Sequence, residues 1–270
     1  MAARAVSLAN KIILITGASS GIGRAAAEQF AETGANLILV ARRAERLQEL
    51  KSKLETAFGI KTHTVTLDLQ DIPKVEKLIP GLPAAFQEVD ILVNNAGLAL
   101  GKAPAQDNDV ADISVMLDTN CKSLAVLTKC AAKGMIARNR GHIINISSIA
   151  ASDHYAGGSI YCGTKAFVTA FTDSLRHDLV GTNIRVTAIS PGAVQTEFSN
   201  IRFKGNQEAA DAVYSGIQPL TADDIADQIV YAATRPANVQ IADIISYATY
   251  QASGTNIARV LAQQSGSQNA

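Results

Sequence analysis

The chain has 270 residues with 24 basic against 24 acidic side chains and a pI near 6.9, so neither nucleic acid nor an anionic membrane surface is favoured as a partner. An apolar content of 47% with 18% charged residues excludes a disordered chain, and the length suits one large domain over residues 1–270. No stretch reaches the ~18 uncharged apolar residues of a membrane span, and residues 1–10 lack the apolar core of a signal peptide.

In chain order, the β-branched run Lys11-Ile12-Ile13-Leu14-Ile15-Thr16 reads as a buried parallel strand. It runs into Gly17-Ala18-Ser19-Ser20-Gly21-Ile22-Gly23, and a helix is predicted over 23–33. Strand, glycine turn and helix together make a phosphate cradle. Glycine lets the backbone approach a pyrophosphate, and the helix N-terminus offers free N–H groups. Further strands are predicted at 36–41, 62–67, 91–94, 142–147 and 184–190, with a weaker one at 244–248. Helices are predicted at 44–58, 73–86, 159–180 and 221–234, with one long helix over 110–139. This alternation predicts an α/β fold, a doubly wound parallel sheet with helices on both faces. The polar tail, about 263–270, reads as mobile. Cys121, Cys130 and Cys162 lie in apolar helical contexts without metal-ligand spacing; buried thiols in a reducing cytoplasm and no metal site are expected.

The densest chemistry is Ser148 followed by Tyr161-Cys162-Gly163-Thr164-Lys165. Tyr161 and Lys165 are four apart and share a helix face. A free phenol titrates near ~10, and a neighbouring cation favours its phenolate. Lys165 is placed to supply that cation. Ser148 adds a hydroxyl that can hold a carbonyl oxygen.

Taken with the glycine turn, these residues resemble the short-chain dehydrogenase/reductase family. The matching positions are Thr16-Gly17, Gly21-Ile22-Gly23, Asn94-Asn95-Ala96-Gly97, Asn120, Ser148, Tyr161, Lys165 and Pro191-Gly192, spread over about residues 10–250. The resemblance implies a Rossmann-type fold and hydride transfer between a nicotinamide cofactor and a carbinol carbon. It makes Tyr161 the proton donor and acceptor, Lys165 its tuner and a ribose contact, and Ser148 the carbonyl holder, with Ser147 the alternative hydroxyl. Asn120 would hold a water linking Lys165 to solvent, or else serve as a bracing amide. The family resemblance also implies a homotetramer.

The cofactor positions that follow are Gly17, Ser19, Ser20, Gly21, Ile22 and Gly23 for the pyrophosphate and Asp68 and Leu69 for the adenine. Asn94, Ala96 and Gly97 are expected beside the adenosine ribose, although the asparagines can also brace strands. Pro191, Gly192, Val194 and Tyr161 are expected among the cofactor contacts, with Thr196 meeting the carboxamide and Lys165 holding the nicotinamide ribose. The second strand ends in Val40-Ala41-Arg42-Arg43, with no acid before Glu45. Arginine there suits a 2′-phosphate, so NADP is the expected cofactor. Gly163 inside a helix costs about 0.8–1 kcal/mol relative to alanine. Either a ligand approaches there or the position is tolerated.

Residues 197–218 fall where the family keeps its variable substrate lid. Their wording resembles the subgroup that oxidises serine, allo-threonine and other 3-hydroxy acids with NADP. Arg202 and Lys204 are either carboxylate clamps or solvated lid charges. A broader NADPH-dependent carbonyl reductase shares every catalytic residue. A nucleotide-sensing regulator that has lost the chemistry is the remaining alternative, against which stands the presence of both Tyr161 and Lys165.

Overall fold

The computed structural model describes residues 5–260. Seven parallel strands form one sheet in the order β3-β2-β1-β4-β5-β6-β7. They are β1 Ile12–Thr16, β2 Asn36–Ala41, β3 Thr62–Thr66, β4 Ile91–Asn94, β5 Gly141–Ile146, β6 Ile184–Pro191 and β7 Asp243–Ser246. The helices are α1 Gly21–Glu32, α2 Ala44–Phe58, α3 Ile72–Lys77, α4 Val110–Leu117, α5 Ser123–Arg138, α6 Ser159–Asp178, α7 Phe198–Arg202, α8 Gln207–Ala212 and α9 Ala222–Ala233.

Strand alternation sorts the apolar side chains into two cores. Ile13 and Ile15 of β1, with Leu37 and Leu39 of β2, pack under α1, α2 and α9. Leu14, Ile38 and Val40 point the other way, against α3 and α5. Burial on both faces explains why these strands read as continuous apolar runs. Each fully buried Leu or Ile stabilises the fold by roughly 1.5–3 kcal/mol.

Helix ends follow local chemistry. Thr221 and Asp224 form a reciprocal capping box, with the Asp224 N–H donating to Thr221 Oγ1 at 3.2 Å and the Thr221 N–H to Asp224 Oδ2 at 2.7 Å. Gly59, at φ +66°, closes α2 in the left-handed conformation.

Two expectations are corrected. The helix predicted over 73–86 stops at Lys77, because Pro80 and Pro83 cannot continue it. The long helix over 110–139 is interrupted by a π-helical turn, Asp118–Lys122, where one extra residue re-aims Asn120. The tail about 263–270 lies outside the described residues. At the C-terminal edge of the sheet the strand ends converge beneath α7 and the segment around Gln251, and the cavity described next opens there.

Candidate active site

A cavity of about 990 Å³ runs along the C-terminal ends of β1, β2, β4, β5 and β6. One end is the glycine turn. Gly17 (φ +68°) and Gly21 (φ +52°) adopt the left-handed conformation, and a Cβ on Gly17 would come within 2.8 Å of Asn95 Nδ2. Only glycine folds here without strain. Ser20 stands at the N-cap of α1 with no side-chain capping bond, leaving the first-turn N–H groups directed at the cavity end. Ser19, Ser20, Ile22, Arg42, Arg43, Asp68, Leu69, Ala96 and Gly97 line this half.

Gly23 does not line it. A Cβ there would lie 2.5 Å from both Asn95 Nδ2 and the Gly17 carbonyl oxygen, so its role is to let α1 pack on the turn. Asn94 is corrected as well. It is buried, and its amide donates to Thr128 Oγ1 and Asn145 Oδ1, both at 2.8 Å. Asn145 in turn donates to Thr172 Oγ1 at 2.9 Å, so the amides brace β4 and β5 to the helices beneath. Asn95 is the member of the pair that faces the cavity, donating to the Thr16 carbonyl at 2.8 Å.

At the other end Ser148, Tyr161 and Lys165 line the cavity together. Ser148 lies two residues beyond β5 and caps the short turn Ile149–Ala151, its hydroxyl accepting from the Ala150 N–H at 3.1 Å. Ser147 is committed elsewhere: its hydroxyl donates to the Lys165 carbonyl at 3.2 Å and lies 2.7 Å from Thr169 Oγ1. Lys165 is buried, and Nζ donates to the Ile146 carbonyl at 2.8 Å. Burial pulls its ammonium down to about 8. Nζ stands 5.9 Å from the Tyr161 ring centre.

The phenol itself departs from expectation. Burial is the largest influence on Tyr161 and pushes its pKa well up, with Tyr155 adding to the rise. The opposing pull comes from the Ser148 hydroxyl and from the Arg202 guanidinium rather than from Lys165. Arg202 lies 5.9 Å from the Tyr161 ring centre. Phe198 packs on the same ring at 5.5 Å.

Asn120 sits behind this group and not in the cavity lining. Both amide hydrogens are spent, on the Leu98 carbonyl at 2.8 Å and Thr164 Oγ1 at 3.0 Å, while Oδ1 accepts from the Leu98 N–H at 2.9 Å. The side chain thus braces the β4 loop against α6 and has no N–H left for the expected water. Pro191, Gly192, Val194 and Thr196 line the wall opposite. The close packing at Gly192, where a Cβ would meet Gln251 Oε1 at 2.3 Å, explains the glycine there.

The two lid cations separate. Lys204 is paired with Asp112 at 2.7 Å, which removes it as a free carboxylate clamp. Arg202 donates from Nε to the Gly101 carbonyl at 3.1 Å and from Nη1 to the Tyr155 hydroxyl at 2.9 Å. Its Nη2 is buried beside the cavity without a partner among the described residues. A buried unpaired guanidinium N–H is costly unless a ligand fills it. Gly163 proves to be an exposed position where a Cβ would meet nothing within 4 Å, so no ligand requirement from the cavity explains it.

Tyr155, Glu197, Phe198 and Gln251 also line the cavity. Glu197 and Phe198 open the segment predicted as the lid, whereas no periodicity or local motif marks Tyr155 and Gln251, which reach the site through contacts distant in sequence. Among the described residues no group of three or more His, Cys, Asp or Glu could hold a metal ion.

A strand–glycine turn–helix at one end and a Ser–Tyr–Lys group at the other define a nucleotide-dependent oxidoreductase site on a parallel α/β sheet. The short chain dehydrogenase family model matches residues 11–207, and the chain belongs to that family. It is 48% identical over 231 residues to an NADP-dependent 3-hydroxy acid dehydrogenase of Salmonella typhi, covering 85% of this chain and 92% of that protein. It is also 48% identical over 231 residues to sulfoacetaldehyde reductase 2 of Chromohalobacter salexigens, covering 85% and 91%. The closed form of a serine dehydrogenase complexed with NADP+ superposes with a TM-score of 0.86 at 44% identity, covering 89% of this chain and 96% of that one.

Proposed function

We propose that this protein is an NADP-dependent dehydrogenase acting on 3-hydroxy acids such as serine, allo-threonine or 3-hydroxypropionate, in a single domain whose segment 197–218 forms the substrate lid. The observation that carries the substrate class is the unpartnered Nη2 of Arg202, buried beside the cavity with its guanidinium near the Tyr161 ring. A carboxylate one carbon beyond the carbinol would meet that nitrogen while the hydroxyl lies against Tyr161 and Ser148.

The residues fit a dinucleotide. The left-handed glycines and the uncapped N-terminus of α1 suit a pyrophosphate, and Arg42 and Arg43 suit a 2′-phosphate. When bound, the nicotinamide supplies hydride exchange at the carbinol carbon. Tyr161 moves the proton at the substrate oxygen. Its raised pKa keeps the phenol protonated at neutral pH, the form that protonates that oxygen as a carbonyl is reduced. In oxidation the phenolate accepts the proton, a form that the Ser148 hydroxyl and the Arg202 guanidinium favour. Ser148 donates to the same oxygen and stabilises charge developing on it. Asn120 acts at one remove, holding the Leu98 loop and Thr164 in register.

Arg202→Ala tests this reading. The kcat/KM for a 3-hydroxy acid is expected to fall about 10- to 150-fold, the scale of a charge-assisted contact, with far less loss for a neutral alcohol of similar size. Equal loss for both would leave Arg202 a bystander and favour the broader carbonyl reductase. The sulfonate named for one relative is an anion that the same guanidinium could hold, so sulfoacetaldehyde belongs beside the hydroxy acids in the assay.

The proposal extends to a homotetramer in a reducing cytoplasm. Exposed apolar side chains at Leu117, Phe167, Ile245 and Tyr247 support assembly, and three free thiols support the compartment. Light scattering at micromolar concentration tests the assembly: a mass near the single-chain 28.3 kDa rules the tetramer out.

A further inference from the structure

We propose that Glu197 sets the affinity for the cofactor's 2′-phosphate by acting as an internal counter-ion on Arg43, which the phosphate must displace. The inference rests on the NADP reading above and names a residue that tunes it. Glu197 stands immediately before α7, at the root of the lid. Its Oε2 accepts from Arg43 Nη1 at 2.8 Å and its Oε1 accepts from Arg46 Nη1 at 2.6 Å. One carboxylate therefore bridges two guanidinium groups.

The rest of the Arg43 fork faces the glycine turn. Nε and Nη2 donate to Ser19 Oγ at 3.1 and 3.0 Å, and Nη2 donates to Ser20 Oγ at 2.6 Å. The guanidinium is thus oriented by two residues of the phosphate cradle while its charge is offset by a third residue from the lid. Arg42 is exposed, lines the same end of the cavity, and forms no ion pair among the described residues. A phosphate dianion arriving between Arg42 and Arg43 meets a like charge already seated on Arg43. The two anions compete for one fork.

Two further facts fit this role. Burial opposes ionisation of Glu197, but the hydrogen bonds from Arg46 and Arg43 outweigh it and hold the carboxyl down to about 2, so the competing charge is constant across the working pH range. The side chains of Arg43 and Glu197 are 39% and 40% exposed, which keeps their exchange with a phosphate accessible and the effect modest. An internal counter-ion of this kind lets a basic pocket select a phosphate without holding it so tightly that the spent cofactor fails to leave.

The test is calorimetric titration of NADPH and NADH into the wild-type protein, Glu197→Gln and Glu197→Ala, with thermal melting to confirm the fold. Both variants are expected to bind NADPH about fivefold tighter, with NADH within about twofold of wild type. An unchanged or weakened NADPH affinity overturns the inference, as does an equal shift for the two cofactors. Should either variant fail to fold, the other carries the same test. Equal wild-type affinity for NADPH and NADH would remove the NADP reading and this inference with it. A wild-type preference for NADPH with unmoved variants would remove the inference alone.

Discussion

The two ends of the cavity use charge in opposite ways. At the phosphate end, Arg43, Arg46 and Glu197 are part-exposed, and paired charges hold the Glu197 carboxyl down to about 2. At the catalytic end, Lys165 and Tyr161 are governed by desolvation, which lowers the ammonium to about 8 and raises the phenol. The first end recognises a charge that is always present; the second readies groups to gain or lose a proton. Binding and proton transfer are thereby kept chemically apart, although both lie in one cavity.

Tyr161→Phe should separate the ends most sharply. Turnover is expected to fall by 10²- to 10⁴-fold, as befits loss of the general acid–base group, while NADPH affinity stays at the wild-type value. Retention of more than about 1% of kcat would place the proton elsewhere. A smaller effect reads the desolvation of Lys165 directly. Its folded pKa, about 8, lies below the ordinary 10.5, so between pH 8 and 9.5 the native state releases a proton that the unfolded chain keeps. Unfolding free energy should therefore rise with pH in that window, by about 1 kcal/mol per unit, relative to Lys165→Met. Denaturant titrations of the two proteins at pH 8 and 9 make the comparison; parallel behaviour would mean that Lys165 is not desolvated.

The same contrast explains what the sequence disclosed. Tyr161 and Lys165 were legible because four residues on a helix fix two side chains on one face, and α6 carries both. β1, β2 and β4 were legible because burial on both faces leaves a nearly unbroken apolar run. Arg43 could be assigned to a phosphate from its place after β2, but its carboxylate partner lies 154 residues away and no local pattern joins them. Lys204 and Asp112 pair in the same hidden way. Asn94 and Asn95 look alike in sequence, yet strand alternation sends one into the core and leaves the other at the cavity. The π-helical turn at Asn120 was masked because one inserted residue barely disturbs the apolar pattern of the predicted long helix.

The amides beneath the catalytic floor have a consequence for how this protein changes over time. Thr128, Asn94, Asn145 and Thr172 pass hydrogen bonds from one to the next across two strands and two helices. Replacing any one by an apolar residue strands its neighbour, at about 1–3 kcal/mol for each buried group left unpaired. Single steps away from the set are therefore each disfavoured even where a fully apolar floor would be as stable. These four positions are expected to drift together or not at all.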